Sequence, residues 1–206
     1  MPVRVKICGL TRRDDVAAAV EAGADALGFV FTPRSTRCLD CEQARELVNA
    51  VPAFVARVGL FMDQDEGDVR RVLEEVPLSL LQFHGGEAGS FCRQFGLPYI
   101  KALAMGSAGR AQHIEDYPDA AALLLDSHEV GAPGGTGHTF DWDSIPELPR
   151  PLILAGGLGP HNVRRAVQHV RPWAVDVSSG VETAAGVKSA NKMTEFINEA
   201  KREDRD

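Results

Sequence analysis

Long apolar runs and cysteine are both scarce in this sequence. No apolar run approaches the roughly 18 residues that a helix needs to span a bilayer, and no charged-then-apolar signal segment follows Met1. Four cysteines are too few for a disulfide scaffold in 206 residues, and free thiols suit a reducing compartment. We therefore expect a cytoplasmic protein without a membrane partner.

Positive charge is also in deficit, with 22 Lys and Arg residues against 29 Asp and Glu residues and a formal net charge of −7. A general nucleic-acid binder would show a basic face, so we expect no nucleic-acid partner. The deficit does not exclude a small anionic ligand, because backbone amides and a few cationic side chains can bind a phosphate locally.

Groupings of metal ligands are missing as well. The six histidines are scattered and form no H-E-x-x-H motif. Cys38 and Cys41 spell C-x-x-C, but zinc would need two more ligands, and no second Cys or His pair supplies them at a suitable spacing. A thioredoxin-like role would need this motif just after the first strand of a different fold. We predict no metal and interpret both cysteines as incidental.

What the sequence does contain is a repeated strand–helix pattern, and no Ser/Pro-rich linker divides it. Apolar runs predict eight strands near 3–8, 25–31, 55–61, 78–83, 98–103, 120–126, 151–155 and 174–178. Helical patterns lie near 13–22, 41–50, 66–75, 87–95, 108–116, 160–169 and 187–200. The connection over 127–149 is mostly loop, with at most a short helix at 141–145. Eight such units predict an α/β fold, a (β/α)8 TIM barrel forming one domain over residues 1–206. An open doubly wound sheet is the alternative.

Two titratable groups end strands of this predicted barrel. Alternation places Arg4, Lys6 and Cys8 on one face of the first strand, and the sixth strand ends at Asp126. Barrel enzymes keep their chemistry at the carboxyl ends of the strands, so the thiol and the carboxylate are candidates for moving protons. We expect the Lys6 cation to lower the pKa of Cys8, whereas Asp126 needs a raised pKa to act as an acid. An inert buried cysteine and a capping or ion-paired aspartate are the alternatives.

Three further polar residues are supporting candidates. Asp176 projects inward from the eighth strand and is predicted to form a buried ion pair with Lys6 or Arg4, with a role as the acid as its alternative. Gln82 and His84, at the end of the fourth strand, either contact a ligand or hydrogen-bond within the barrel mouth.

Glycines and serines follow the last two predicted strands. Successive backbone N–H groups in such loops can point at one anion, and barrels often bind phosphate there. The predicted phosphate site comprises Gly156, Gly157, Ser178, Ser179 and Gly180. A third stretch lacks the Gly-Lys-Ser/Thr ending of a P-loop and is interpreted as a mobile lid, with a plain flexible loop as the alternative. This stretch comprises Gly134, Gly135, Thr136 and Gly137.

The loop after the second predicted strand carries Arg37. An arginine suits bidentate recognition of a carboxylate. The pattern alone leaves a solvated loop arginine as an equal alternative.

These motifs together resemble the phosphoribosylanthranilate isomerase family. The resemblance rests on ordered segments that span nearly the whole chain: 6–11, 28–31, 81–85, 124–127, 134–137, 139–142, 154–158, 175–182 and 186–188. It implies a TIM barrel that converts N-(5′-phosphoribosyl)anthranilate into 1-(2-carboxyphenylamino)-1-deoxyribulose 5-phosphate in tryptophan biosynthesis. The expected reaction is an intramolecular Amadori rearrangement that uses no cofactor.

The resemblance also implies roles for individual residues. Asp126 would protonate the ribose ring oxygen as the general acid, and Cys8 as thiolate would take the C2′ proton as the general base. Arg37 matches the arginine that binds the anthranilate carboxylate, and the loops after strands seven and eight match the phosphate site. The expected partner is this small phosphosugar, in a monomer or a homodimer.

Two other functions are compatible with a phosphosugar barrel. The histidine-pathway isomerase also performs an Amadori rearrangement, but it uses paired aspartates where this chain has Cys8 and Asp126. A non-catalytic phosphosugar-binding protein would have kept the phosphate loops alone, which the joint presence of Cys8, Asp126 and Arg37 disfavours.

Overall fold

The computed structural model describes residues 2–105, 114–127 and 140–202. Eight parallel strands, each hydrogen-bonded to the next along the chain, close into a barrel when the eighth pairs with the first. The strands are β1 (Arg4–Cys8), β2 (Ala26–Val30), β3 (Ala56–Phe61), β4 (Leu80–Phe83), β5 (Tyr99–Ala104), β6 (Ala122–Asp126), β7 (Leu152–Leu154) and β8 (Ala174–Val177). The predicted TIM barrel is confirmed, and the open sheet is excluded.

Helices pack around the barrel between the strands. They are α1 (Arg13–Glu21), α2 (Cys41–Asn49), α3 (Glu66–Glu75), α4 (Gly89–Cys92), α5 (Val163–Val170) and α6 (Ala190–Lys201). Short 3₁₀ segments occupy Arg93–Phe95, Ile114–Asp116, Trp142–Ser144 and Ser179–Val181. Within the described residues, none of the helices has the length and apolar character that crossing a membrane requires.

Two predicted helices differ from those observed. The helix expected over 87–95 divides into α4 and a 3₁₀ turn, which ends where Gly96 takes a positive φ of 73°. The helix expected over 187–200 begins only at Ala190, because Ser189 caps its first turn by accepting from the Lys192 amide. The residues before it form an antiparallel hairpin of β9 (Glu182–Ala184) and β10 (Val187–Lys188), which sequence analysis missed. Most of the helix expected over 108–116 lies outside the described residues; 114–116 is 3₁₀.

The barrel separates two layers of packed side chains. Val5 and Ile7 of β1 point outward into the large core beneath the helices, as alternation predicts. A smaller cluster fills the interior: Ile100, Ala102, Ala122, Leu124, Ile153, Ala155 and Ala174. This interior cluster comes mainly from β5 to β8. Polar side chains of β1, β4 and β8 complete the interior, so the barrel is polar where it opens into the site.

A buried ion pair fixes the loop after β4. Lys101 donates to a Glu87 carboxylate oxygen at 2.8 Å, and both side chains are almost fully buried. The same carboxylate accepts from the backbone amides of Asp63 and Gly85 at 2.9 Å. Because Gly85 follows His84 directly, this pair holds the backbone that presents His84 at the barrel mouth.

Replacing Lys101 with methionine should destabilise the fold. The substitution leaves Glu87 buried without its cation, and breaking such a pair costs about 3–5 kcal/mol. We expect urea denaturation followed by circular dichroism to show that loss in the free energy of unfolding. A double variant that also carries Glu87→Gln should recover part of it, since no charge then remains unpaired; equal losses in both variants would contradict the prediction.

Candidate active site

A cavity opens at the carboxyl ends of the barrel strands. It encloses about 550 Å³ including its open mouth, a size that suits one small molecule. Its lining residues are Cys8, Val30, Thr32, Ser35, Arg37, Leu60, Met62, Gln82, His84, Asp126, Asp176 and Ser178. Candidate residues from five distant parts of the sequence therefore meet in one pocket. Thr32 and Ser35 were not among the candidates, because ordinary loop residues carry no pattern that marks them.

Cys8 lies at the end of β1, paired in register with Gly28 of β2. A side chain at Gly28 would place its Cβ 2.7 Å from the Cys8 sulfur and 3.2 Å from Lys6 Nζ. The first distance is shorter than real Cβ atoms show, and the second is tighter than most Cβ contacts. The glycine therefore leaves space for the thiol and the ammonium group beside β2.

Lys6 and Asp176 form the ion pair that was predicted between β1 and β8. The two residues are register partners, and Lys6 Nζ donates to Asp176 Oδ1 at 2.8 Å. Burial disfavours the charged lysine, but attraction to Asp176 outweighs it and raises the pKa of Lys6. A permanent cation therefore lies beside the Cys8 sulfur.

The Lys6 cation lowers the pKa of Cys8, as expected, but it does not set the net direction of the shift. Burial raises the pKa of the Cys8 thiol above its ordinary value, and the Lys6 cation offsets this only in part. Asp176 lies next to the same cation and also opposes the ionisation of the thiol, with a smaller effect than burial.

Asp126 ends β6 on the opposite side of the cavity from β1. Its backbone carbonyl accepts from the Met105 amide at 2.9 Å, which continues the pairing of β5 with β6. One carboxylate oxygen lies 3.5 Å from Nε2 of His84. The other ring nitrogen of His84 lies 3.1 Å from the amide nitrogen of Gln82. With the amide in this orientation, Nδ1 accepts, and the ring proton on Nε2 faces Asp126.

Arg37 is held in the pocket wall by its own loop. Leu39 N donates to Val30 O at 2.8 Å and Arg37 N donates to the Ser35 hydroxyl at 3.1 Å, so the loop after β2 is closed at both ends. Gly9, which follows β1 and has a positive φ, provides the space that the Arg37 side chain occupies. A Cβ at this position would collide with that side chain.

The side chain of Arg37 binds Glu182, a residue for which sequence analysis assigned no role. Nε and Nη2 each donate to one carboxylate oxygen at 2.7 Å. Lys188 Nζ donates to the same carboxylate at 2.8 Å. Hydrogen bonding to Glu182 raises the pKa of Arg37. Glu182 and Lys188 belong to the hairpin of β9 and β10, which was not predicted from the sequence. Two charged residues on either side of a turn do not indicate that one of them pairs with a residue 145 positions away.

The loops after β7 and β8 pack against each other. Gly156 and Gly157 adopt positive φ angles of 82° and 62°. A Cβ at Gly180 would collide with the carbonyl of Leu158. Ser178 lines the cavity, and the 3₁₀ turn Ser179–Val181 follows it. These loops are built as a tight backbone layer, as an anion site requires, although anion binding there stays a prediction. The predicted lid, Gly134–Gly137, lies outside the described residues.

Metal ligands do not cluster in the part of the chain that is described, where no group of three His, Cys, Asp or Glu side chains could hold an ion. All four cysteines are free; Cys8 and Cys92 are buried, Cys41 is half-buried and Cys38 is exposed.

The fold and the site define a (β/α)8-barrel protein with a small-molecule pocket at the carboxyl ends of its strands. The family profile described as N-(5′-phosphoribosyl)anthranilate (PRA) isomerase matches residues 5–199. The chain therefore belongs to this family of isomerases.

Individual relatives agree over nearly the full length. N-(5′-phosphoribosyl)anthranilate isomerase of Thiobacillus denitrificans is 53% identical over 203 residues, covering 98% of this chain and 99% of the relative. A phosphoribosylanthranilate isomerase solved in complex with reduced 1-(o-carboxyphenylamino)-1-deoxyribulose 5-phosphate is 39% identical, with a TM-score of 0.82 over 97% of this chain and 98% of the other. Monomers generated from the dimeric enzyme of Thermotoga maritima are 38% identical, with a TM-score of 0.80 and the same coverage.

Proposed function

We propose that this protein isomerises N-(5′-phosphoribosyl)anthranilate to 1-(2-carboxyphenylamino)-1-deoxyribulose 5-phosphate in tryptophan biosynthesis. The observation that carries the proposal is that one cavity unites Cys8, Asp126 and Arg37, with Ser178 of the loop after β8 in the same lining. A thiol and a carboxylic acid can serve as the base and the acid of an Amadori rearrangement, and a cation can bind the carboxylate of an aryl aminosugar. The related structure that binds the reduced product supports the same substrate class.

Asp126 acts as the general acid in the proposed mechanism. Its carboxyl proton passes to the ribose ring oxygen while the bond from that oxygen to C1′ breaks. The nitrogen lone pair forms the new C=N bond, which leaves a Schiff base. His84, 3.5 Å from the carboxylate, holds Asp126 toward the cavity and keeps a polar group beside the charge that remains after proton transfer.

Cys8 acts as the general base in the second step. Its thiolate takes the C2′ proton, the electrons of that C–H bond form the C1′=C2′ bond, and the C=N electrons return to nitrogen. The resulting enolamine tautomerises when C1′ gains a proton and the 2′-hydroxyl loses one. Lys6 supports the thiolate as the adjacent cation, while Asp176 keeps Lys6 charged.

Arg37 binds the anthranilate carboxylate in this proposal, and the backbone of the loops after β7 and β8 binds the phosphate. The phosphate site comprises Gly156, Gly157, Ser178, Ser179 and Gly180. Its support is the tight packing of the two loops at the same end of the barrel as Cys8 and Asp126. Anions at both ends of the substrate would hold the ribose between the acid and the base.

The remaining assignments are also proposals. We propose one domain over 1–206, supported by a closed barrel whose last helix, α6, packs on α1 and α5. Four free cysteines support a cytoplasmic location. Solved relatives include both dimeric and monomeric forms, so a monomer or a homodimer is proposed here, without a nucleic-acid partner.

The decisive test is a fluorescence assay that follows the disappearance of phosphoribosylanthranilate made in situ from anthranilate and phosphoribosyl pyrophosphate. We expect turnover without added metal or cofactor. Calorimetric binding of the substrate without conversion would instead indicate a non-catalytic binding protein. Turnover of the histidine-pathway substrate as well would show a bifunctional isomerase.

The pH dependence of kcat/KM follows from the buried thiol. Because burial raises the pKa of Cys8 and the base acts as thiolate, kcat/KM should rise with pH above neutrality. It should flatten only above the ordinary thiol value of about 8.5. Lys6→Met should move the rise to still higher pH, since the thiolate then loses its cation. A level profile between about pH 7 and 8.5 in the wild-type enzyme would remove Cys8 as the base.

A further inference from the structure

Glu182 joins two cations at the edge of the cavity. The residue is 9% exposed, and its carboxylate accepts two hydrogen bonds from Arg37 and one from Lys188. Burial opposes its ionisation, but hydrogen bonds from both partners outweigh burial and hold the pKa of Glu182 below its usual value. The carboxylate is therefore charged throughout the neutral range.

Glu182 binds Arg37 through one defined edge of the guanidinium. A guanidinium presents two edges that match a carboxylate, one formed by Nε with one Nη and the other by both Nη atoms. Glu182 occupies the edge formed by Nε and Nη2. The second edge is the one available to another carboxylate, and Arg37 lines the cavity.

Lys188 adjusts the charge of the cluster and contacts the loop after β8. Arg37 and Lys188 carry two positive charges against one from Glu182, so the cluster keeps a net charge of about +1 for an anionic ligand. Lys188 Nζ also donates to the Ser178 carbonyl at 3.1 Å. Ser178 lies in the loop after β8, so the same lysine contacts both the arginine's partner and the glycine–serine loop.

The hairpin that carries Glu182 is anchored by bonds that do not involve its carboxylate. Lys192 donates to the Glu182 carbonyl at 2.7 Å, Thr11 donates to the Gly186 carbonyl at 2.6 Å, and Asp15 accepts from the Lys188 amide at 3.0 Å. These bonds hold the hairpin backbone in addition to the ion pair of Glu182 with Lys188. The two hydrogen bonds to Arg37 are therefore the contacts that take the carboxylate outside its own hairpin.

We infer that Glu182 is a positioning residue that orients Arg37 for the carboxylate of an aryl aminosugar phosphate and thereby selects carboxylated substrates. It acts by holding the Nε edge of the guanidinium, so that the opposite edge meets the ligand without a further loss of side-chain entropy. This inference rests on the proposed role of Arg37 and extends it to the residue that directs it.

The test compares Glu182→Gln with the wild-type protein in binding two ligands. One ligand is reduced 1-(o-carboxyphenylamino)-1-deoxyribulose 5-phosphate, and the other is the same molecule without the ring carboxylate. A glutamine keeps the size but has one acceptor oxygen and no charge. We expect calorimetry to show roughly a tenfold weaker Kd for the carboxylated ligand and less than about a twofold change for the other. KM should rise more than kcat falls.

Glu87→Gln is the matched control, because Glu87 is equally buried and also paired with a lysine, but it lies outside the cavity lining. It should lower thermal stability without changing the preference between the two ligands. Adding Glu182→Gln to Arg37→Met should weaken binding of the carboxylated ligand little further, since the arginine it directs is gone.

Two outcomes would overturn the inference. If Glu182→Gln binds both ligands as the wild type does, the carboxylate does not direct Arg37. If both ligands lose affinity equally, Glu182 maintains the pocket as a whole and has no selective role. Turnover of the wild-type protein is measured in parallel, and its absence would count against the proposed function. If the wild type turns over and Glu182→Gln does not change the preference between the two ligands, only the role of Glu182 is overturned.

Discussion

Replacing Cys8 with alanine is expected to lower kcat by about 10²- to 10⁴-fold, the contribution typical of a positioned base. The thiol is the one group of β1 that lines the cavity, and Lys6 beside it cannot replace it as a base, because its ion pair with Asp176 keeps it protonated. Circular dichroism and thermal melting should show a folded protein, since alanine leaves only a small gap at the rim of the pocket. Steady-state fluorescence assays measure the loss.

Cys92→Ala is the matched control for this experiment. Cys92 is likewise buried, but it lies in α4, outside the residues that line the cavity. Its variant should keep kcat within about twofold of the wild type while losing some stability. If Cys8→Ala turned over as fast as Cys92→Ala, Cys8 would have no part in proton transfer, and its burial would make it a core residue.

Asp126→Asn should lower kcat by a similar factor of about 10²- to 10⁴-fold. The amide keeps the size of the side chain and still faces His84, but it has no carboxyl proton to deliver to the ring oxygen. Binding of the reduced product should change much less than kcat, because that ligand has no ring to open. Calorimetry and steady-state kinetics on the same preparation separate the two effects.

Asp176→Asn tests whether Asp126 or Asp176 is the general acid. Asp176 lines the same cavity, and sequence analysis left it as a second candidate for the acid. Because it pairs with Lys6 at 2.8 Å, we expect its loss to alter the pH at which Cys8 becomes active. Should Asp176→Asn remove turnover while Asp126→Asn retains it, the acid would be Asp176.

The two candidates for proton transfer illustrate how much of the site sequence analysis predicted. The ends of the strands could be predicted because buried parallel strands are apolar runs. A polar residue that follows such a run therefore marks the end of the strand. Cys8 and Asp126 were both identified in this way, and the structure brings them to one cavity. The predicted ion pair of Lys6 with Asp176 is confirmed for the same reason, since alternation fixed the face of each strand.

The Cys8 pKa and the Glu182 contact show what could not be predicted. Both depend on groups that lie close only after folding. The Cys8 pKa depends on burial and on the charges of Lys6 and Asp176. Glu182 contacts Arg37 from a hairpin whose two strands have only three and two residues. Such a short hairpin has too few residues to show a periodicity. The balance between burial and charge is a property of distances, which a sequence does not contain.

The sequence by itself determined the eight strand–helix units and the polar residues at the strand ends, because these depend on local patterns of apolar and polar side chains. Only the tertiary structure decided that Cys8 is a buried thiol with a raised pKa and that Glu182 binds the Nε and Nη2 edge of the Arg37 guanidinium. Closure of β8 onto β1 sets the first, and packing of the hairpin against the loop after β2 sets the second. In both cases the electrostatic energy depends on the distances between the charged groups and on their exposure to solvent, and both are set only when the chain folds.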